Sequence, residues 1–255
     1  RWSGPGDVIP ILAQATAGKQ LSYSIPGQHT HVVMNERSPG VYESYHKVDP
    51  YDPIFEGSIE FSLKGRWFKR SKVTSSETVK MGGLPKIGVV NTSDAYLNIG
   101  LGSDRLGGAK YGFIYEGVEL NIVGEQSGLY KVALSPSLHA WIPTRFVDVK
   151  ESFELPTQSL SGNIRIAASK ENSDLSQGSD VITVSLPKRL PYIVHTELDP
   201  NRIVVDIFGA TSNTNWKILL DEATGIDEVR WSQIEDGRLR IYIDLTHKRH
   251  WGYDV

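Results

Sequence analysis

Apolar and polar residues alternate with a period of two along much of this chain. In residues 58–63, Ile59, Phe61 and Leu63 alternate with polar side chains. Successive side chains of a strand point to opposite faces, so this run predicts a strand with one buried and one solvated face. Hardly any segment keeps the period of 3.6 that an amphipathic helix requires. The chain is therefore predicted to be all-β.

Turn residues join several of these runs into hairpins. Asp, Asn and Gly between two alternating runs favour tight turns, and Pro presets a turn dihedral. Three hairpins are predicted: 118–123 with 129–134, 193–198 with 203–208, and 229–231 with 239–245.

The spacing of strands and turns divides the chain into three small β modules. Residues 1–83 suit an immunoglobulin-like β-sandwich, 84–150 a small barrel, and 151–255 a second β-sandwich or roll. Short linkers are expected near residues 81–85 and 152–159. A chain of 255 residues is long for one core and comfortable for three small ones.

Composition excludes several classes of function. A net charge of −3 without a run of Lys or Arg argues against nucleic acid as a partner. The absence of cysteine excludes disulfides, thiolate metal sites and a Cys nucleophile. No apolar run reaches the roughly 18 residues of a membrane span. The chain begins at Arg1 without a signal-peptide pattern, and we expect the signal peptide to lie outside this sequence.

Residues 95–149 resemble a bacterial Src-homology-3-like (SH3-like) cell-wall module. They contain a Leu-Asn-Ile strand, a Gly-rich loop, a Gly-x-x-Leu turn, a Gly-Leu-Tyr-Lys-Val strand and a closing Ala-Trp-Ile-Pro, in that order. The resemblance implies that 84–150 is a wall-binding module. Where the family has Asn-Val-Arg, this chain has Asn98-Ile99-Gly100, which removes one carboxylate-binding side chain. The matching binding positions are Tyr96, Asn98, Arg105, Tyr111, Tyr115 and Trp141.

The third module resembles the AMIN localisation domain of cell-wall amidases. Residues 201–210 read Asn-Arg-Ile-Val-Val-Asp-Ile-Phe-Gly-Ala, similar to its core strand. Residues 211–216 and 247–253 extend the likeness to the non-catalytic region of Bacteroidetes-type N-acetylmuramoyl-L-alanine amidases. Trp216, Arg230 and Trp231 are the corresponding binding candidates. For every aromatic residue in both sets, packing in a core is the competing explanation.

These resemblances imply a non-catalytic, periplasmic segment that targets an amidase to peptidoglycan. The family's zinc-dependent hydrolase is a separate, downstream domain, and zinc is expected only there. The alternative is an autoinhibitory or docking module whose partner is its own catalytic domain or a cell-division or envelope protein. A third possibility is a free-standing enzyme with an unrecognised hydrolytic site.

The residues themselves predict no catalytic or metal site. His29 and His31 would share one face of a strand, and His247 and His250 are three apart, but no carboxylate motif completes either set. The Gly-rich stretch 100–108 lacks the Gly-Lys-Ser/Thr ending and the following helix of a phosphate-binding loop. Asp94, Asp104 and Glu116 are acid–base candidates by residue type alone.

Overall fold

The fold is nearly all β, which confirms the predicted fold class. The only helical element among the described residues is a 3-10 turn at Thr144–Phe146. The protein was analysed as a computed structural model that describes residues 1–28, 31–50, 52–65, 70–101, 109–152, 158–168, 180–219, 223, 225–246 and 253–255.

The chain forms two compact units. Unit 1 comprises Arg1–Gly88, Asn121–Ala133 and Val149–Leu155, and unit 2 comprises Val89–Leu120, Leu134–Asp148 and Pro156–Val255. The division into three modules stays a prediction, although Met81, placed in a predicted linker, is fully buried in the core of unit 1.

Unit 1 is built from two sheets around an apolar core. The first has the order β2-β6-β5, and the second has the order β4-β3-β7-β8-β1. The strands are β1 (Trp2–Ser3), β2 (Val8–Gln14), β3 (Leu21–Ser24), β4 (Val32–Val33), β5 (Asn35–Ser38), β6 (Val41–Lys47), β7 (Phe55–Lys64) and β8 (Arg70–Met81). Ile59 is buried, and Phe61 and Leu63 pack against the same core, as their alternation predicted.

A predicted hairpin also contributes to unit 1. Strand β12 (Glu119–Gln126) pairs with β13 (Leu129–Ala133), and Gln126 lies opposite Leu129. The two turn residues, Ser127 and Gly128, both have positive φ, as a type I′ turn requires. Strands β9 (Lys86–Val90), β12 and β15 (Val147–Glu151) each include residues of both units.

Unit 2 begins with a short antiparallel sheet of order β11-β10-β14. Its strands are β10 (Tyr96–Asn98), β11 (Lys110–Phe113) and β14 (His139–Pro143). The apolar residues of this part, among them Leu97, Ile114, Ala140 and Ile142, are buried.

The larger part of unit 2 contains the other two predicted hairpins. The sheet β19-β20-β24-β23 is antiparallel throughout, and its turns are Asp199-Pro200, with a cis peptide bond, and Asp236-Gly237. Leu239, Ile241 and Ile243 are buried on one face, as predicted. The strands are β16 (Ser159–Ser161), β17 (Ile164–Ala168), β18 (Asp180–Val184), β19 (Tyr192–Leu198), β20 (Asn201–Phe208), β21 (Ala210–Ser212), β22 (Lys217–Leu219), β23 (Ile226–Glu235) and β24 (Arg238–Leu245).

Two polar contacts join the parts of unit 2. The Glu235 carboxylate, at the end of β23, accepts hydrogen bonds from the Ser135 hydroxyl at 2.7 Å and the Ser137 hydroxyl at 2.6 Å. The Arg189 guanidinium donates to the Glu116 carbonyl at 3.2 Å. These contacts fix the turn before β14 and the turn after β11 against the third predicted module.

The described part of the chain contains no helix that is long and apolar enough to cross a membrane.

Candidate functional site

The first candidate site is an aromatic cleft in unit 2 with a volume of about 320 Å³. It lies beside β11 and the turn that follows it, opposite β19. We call it the tyrosine cleft, and its aromatic residues are Tyr111, Phe113, Tyr115, Tyr192 and Tyr253. Two of these, Tyr111 and Tyr115, are predicted binding residues, and the structure brings them together.

Three of the five aromatic residues of the tyrosine cleft are open to solvent. Phe113 is 71% exposed, Tyr253 is 51% exposed and Tyr115 is 47% exposed, which a purely structural role would not require. The rings of Tyr115 and Tyr192 lie 6.2 Å apart at an angle of 39°. The Tyr115 hydroxyl donates to the Val255 carbonyl. The cleft therefore offers flat apolar surfaces next to polar hydroxyls.

The Tyr192 hydroxyl stays protonated under all ordinary conditions. Burial raises its pKa to about 12, and the neighbouring Tyr115 hydroxyl and Asp254 carboxylate push in the same direction. A neutral phenol can both donate and accept a hydrogen bond, as contact with a sugar hydroxyl requires. The Tyr192 phenol therefore acts in this cleft as a neutral hydrogen-bonding group beside aromatic surfaces.

The other predicted residues of the SH3-like region lie outside the tyrosine cleft. The Tyr96 ring packs edge-on against Phe146 at 5.4 Å, with the Lys110 ammonium 4.5 Å above it. Asn98 is buried, and its side-chain oxygen has no hydrogen-bond partner among the described residues. Trp141 lies directly opposite Asn98 on the neighbouring strand. Arg105 lies outside the described residues.

The second candidate site is a groove of about 620 Å³ along β23, which we call the arginine groove. Three of its lining residues are cations, and none is a carboxylate. The lining residues are Arg202, Lys217, Val229, Arg230, Trp231, Ser232 and Tyr242.

The strand register places Tyr242 at the centre of the cations. Arg230 on β23 lies directly opposite Tyr242 on β24, and Arg202 on β20 lies opposite Asp244, two residues further along β24. The guanidinium carbons of Arg202 and Arg230 each lie 5.4 Å from the Tyr242 ring centre. Cations at this distance from an aromatic face are attracted to it. The tyrosine ring therefore supports both arginines.

Carboxylates behind the lining hold the cations in place. The Asp244 carboxylate accepts from Nε and Nη2 of Arg230 at 3.2 and 2.8 Å, and it lies 3.0 Å from Nε of Arg202. The Asp244 interaction raises the pKa of Arg230. The Lys217 ammonium donates to the Val229 carbonyl at 3.3 Å. The cations are thus oriented before any ligand arrives.

A buried ion network lies beside this groove on the same face of the sheet. The Asp206 carboxylate, 2% exposed, accepts hydrogen bonds from Arg238 at 2.7 Å and from Arg240 at 2.7 and 2.8 Å. Burial acts to raise the pKa of Asp206, but the hydrogen bonds from Arg240 and Arg238 outweigh burial and lower it. The network ties β20 to β24, the two strands that carry Arg202 and Tyr242.

The two tryptophans predicted in the third module have different environments. Trp231 lines the arginine groove but is half-buried against the core, and its indole N–H donates to the Thr214 carbonyl at 3.2 Å. Packing therefore accounts for much of its position. Trp216 is 66% exposed and precedes Lys217 of the groove in the chain. Of the two, Trp216 has the freer ring.

A metal centre was not predicted for this chain. Among the residues with described positions, no group of three or more His, Asp or Glu side chains is arranged to hold a metal ion. His31 is exposed, whereas His29, His247, His250 and Asp104 lie outside the described residues. The expectation that zinc belongs to another domain stays a prediction.

Sequence reasoning missed residues of both sites. In the tyrosine cleft these are Phe113, Tyr192 and Tyr253, and in the arginine groove Arg202, Lys217 and Tyr242. Phe113 could have been found, because it lies two residues from each of the predicted Tyr111 and Tyr115, a spacing that places side chains on one face of a strand.

Residues 168–255 match the family model of the AMIN domain. No curated protein and no solved structure matches the chain. AMIN domains in general bind peptidoglycan and are typical of periplasmic proteins. The C-terminal region of this chain thus carries an AMIN domain, which contains the arginine groove and contributes Tyr192 and Tyr253 to the tyrosine cleft.

Proposed function

We propose that this chain is a non-catalytic segment that targets a cell-wall N-acetylmuramoyl-L-alanine amidase to peptidoglycan. The zinc-dependent hydrolase would be a separate domain of the same protein. The observation that carries the proposal is an AMIN domain with an exposed aromatic cleft at one place and an oriented cationic groove at another.

The tyrosine cleft is the proposed contact with the glycan strand. The faces of sugar rings present C–H groups, which pack well on exposed aromatic rings such as Phe113 and Tyr115. The neutral hydroxyl of Tyr192 supplies a hydrogen-bonding group beside them. A cleft of this volume lies at the lower end of the usual range for small-molecule sites, so it would hold one or two sugar rings.

Affinity for the wall would come from repetition of weak contacts. Peptidoglycan repeats the same sugars and short peptides, so two modest sites on one chain can engage neighbouring repeats together. Linked binding events raise the overall affinity well above that of either site when the geometry permits both. A short sugar fragment should therefore bind much more weakly than intact sacculi.

Co-sedimentation of the purified chain with isolated sacculi tests this function. We expect retention at low salt, and its absence would overturn the proposal. Replacing both Phe113 and Tyr115 by Ala should weaken retention by about tenfold, because truncating central aromatic contacts commonly costs more than 1 kcal/mol. Tyr45→Ala is the matched control, since Tyr45 is a 65% exposed tyrosine of unit 1.

A second candidate function is docking of the protein's own segments or of a partner in the tyrosine cleft. The observation in its favour is that Tyr253 and Asp254 already line the cleft and that Tyr115 donates to the Val255 carbonyl. In this case the cleft would regulate the amidase rather than hold glycan.

The two candidates differ in their response to Tyr253→Ala. If the segment around Tyr253 competes with glycan, the variant should bind sacculi more tightly, whereas a glycan contact by Tyr253 predicts weaker binding. Turnover of a soluble peptidoglycan fragment by the full-length amidase and by its isolated catalytic domain gives an independent measure. Equal rates would speak against inhibition.

A further inference from the structure

The arginine groove has a chemistry that sugar stacking does not explain. Its lining offers Arg202, Lys217 and Arg230 in a row beside the Tyr242 ring. We infer that this groove binds a peptide carboxylate, namely the free carboxylate of peptidoglycan stem peptides. The inference rests on the proposed wall-targeting function and adds the chemical group that this site recognises.

The contacts of Arg230 leave donors for a ligand. Asp244 engages Nε and Nη2 of Arg230, so Nη1 and its two N–H groups are not used by that pair. Asp244 and Glu197 both approach Arg202 at Nε, at 3.0 and 3.6 Å. A guanidinium presents its donors in a planar fork that matches a carboxylate. Two arginines held over one aromatic ring thus form a preorganised receptor for an anionic group.

The acids around the groove favour a singly charged ligand. Glu228 lies 3.3 Å from the Arg230 guanidinium and 3.9 Å from the Lys217 ammonium, at the rim of the groove. A dianion such as phosphate would be repelled more strongly by Glu228 and Asp244 than a carboxylate would. The exposed part of the half-buried Trp231 ring suits the hydrocarbon part of a peptide.

Binding of a muramyl peptide with and without its carboxylate tests the inference. The probe is N-acetylmuramyl-L-alanyl-D-isoglutamine, compared with the same compound amidated at its carboxylate, and the measurement is calorimetry with the full chain. We expect the acid to bind about tenfold more tightly than the amide, because a hydrogen bond to a charged carboxylate is stronger than one to a neutral amide. Equal binding of the two compounds would overturn the inference.

Two variants with opposite expected effects sharpen this test. Arg230→Gln should abolish the preference for the acid, and Glu228→Gln should increase it by a few-fold, because it removes a competing carboxylate. The control Arg37→Gln, at an exposed ion pair of unit 1, should leave the preference unchanged. Lys217→Gln provides an independent loss of one cation, with Lys188→Gln as its exposed control.

The outcomes separate this inference from the proposed function. Retention of the wild-type chain on sacculi without any preference for the acid would overturn the carboxylate inference alone. Loss of sacculus retention would overturn the wall-targeting function and the inference together. Displacement of the acid by an equal concentration of inorganic phosphate would indicate a general anion site and would also overturn the inference.

Discussion

The tyrosine cleft and the arginine groove lie in the same unit but are built by opposite physical means. The cleft depends on aromatic surfaces, and burial and neighbouring groups keep its Tyr192 phenol protonated. The groove depends on charge, with Asp244 and Asp206 holding arginines on adjacent strands. The difference teaches that ionic strength and pH can separate the contributions of the two sites to wall binding.

The largest effect is expected from the ion network of Asp206, Arg238 and Arg240 beside the arginine groove. Asp206→Asn removes the charge that pairs with Arg238 and Arg240 and leaves two poorly solvated guanidiniums. Breaking such a buried pair costs about 3–5 kcal/mol of folding free energy. Chemical denaturation should show this loss for unit 2.

The control for Asp206→Asn is Glu56→Gln. Glu56 pairs with Lys80 at 3.2 Å on the surface of unit 1, where both side chains are at least half exposed. Exposed pairs contribute about 1 kcal/mol or less. A comparable loss in both variants would contradict the assignment of the Asp206 network as a support of the groove.

The second prediction is that folding stability depends on pH in opposite directions through Asp206 and through Tyr192. The pKa of Asp206 is lowered by folding, so its contribution to stability is complete above about pH 4 and is lost as the pH falls through the lowered value. The pKa of Tyr192 is raised to about 12, so its contribution is complete below about pH 10 and is lost between pH 10 and 12. Chemical denaturation as a function of pH measures both changes, the loss of stability at acid pH (the acid limb) and the loss at alkaline pH (the alkaline limb).

One substitution identifies the group responsible for the alkaline limb of this pH profile. Tyr192→Phe should flatten the alkaline limb and leave the acid limb intact. An unchanged alkaline limb in this variant would show that another group is responsible.

A smaller effect is expected at the contact between the two parts of unit 2. Glu235→Gln weakens the hydrogen bonds from Ser135 and Ser137 and should destabilise unit 2 by about 1 kcal/mol. The tyrosine cleft takes residues from both parts of unit 2, so its binding of glycan should weaken. The arginine groove takes residues from one part only, so its binding of carboxylate should stay constant. Calorimetry with the two classes of probe checks this, and equal losses at both sites would contradict it.

The smallest expected effect is that of salt on the two sites. Between about 0.1 M and 1 M salt the screening length falls from about 10 Å to about 3 Å, so the attraction of the groove for an anion weakens. Contacts of the cleft with sugar faces should change little. Retention on sacculi should thus fall a few-fold for the wild-type chain and less for Arg230→Gln, and an identical fall in both would argue against the groove.

The hairpins could be predicted from the sequence because their signals are local. The Asp236-Gly237 turn and the alternation of apolar and polar residues after it are enough to predict β24 and its buried face. Tyr111 and Tyr115 were found through their positions in a resembling module. Tyr192 was not, because it comes from a distant strand and only the packing of two chain segments brings it to the cleft.

Arg230 and Trp231 of the arginine groove were predicted from the resemblance alone, and the strand pattern did not support the prediction for Arg230. Counting back from the Asp236-Gly237 turn would place Arg230 opposite Ile243, with its side chain on the core face. A β-bulge near Gln233 shifts the register by one residue, so that Arg230 lies opposite Tyr242. A shift of one residue exchanges the two faces of a strand, and no residue type in the sequence marks this bulge.

The register shifts of β23 have a consequence for self-association. Among the described strands, β23 pairs only with β24, so it is an edge strand. A long, flat edge strand has unpaired backbone groups to which another chain can add. Two bulges interrupt this edge, and the Lys217 ammonium covers the Val229 carbonyl. The strand is therefore a poor template for aggregation, and we expect this edge of the sheet to resist the addition of a second chain.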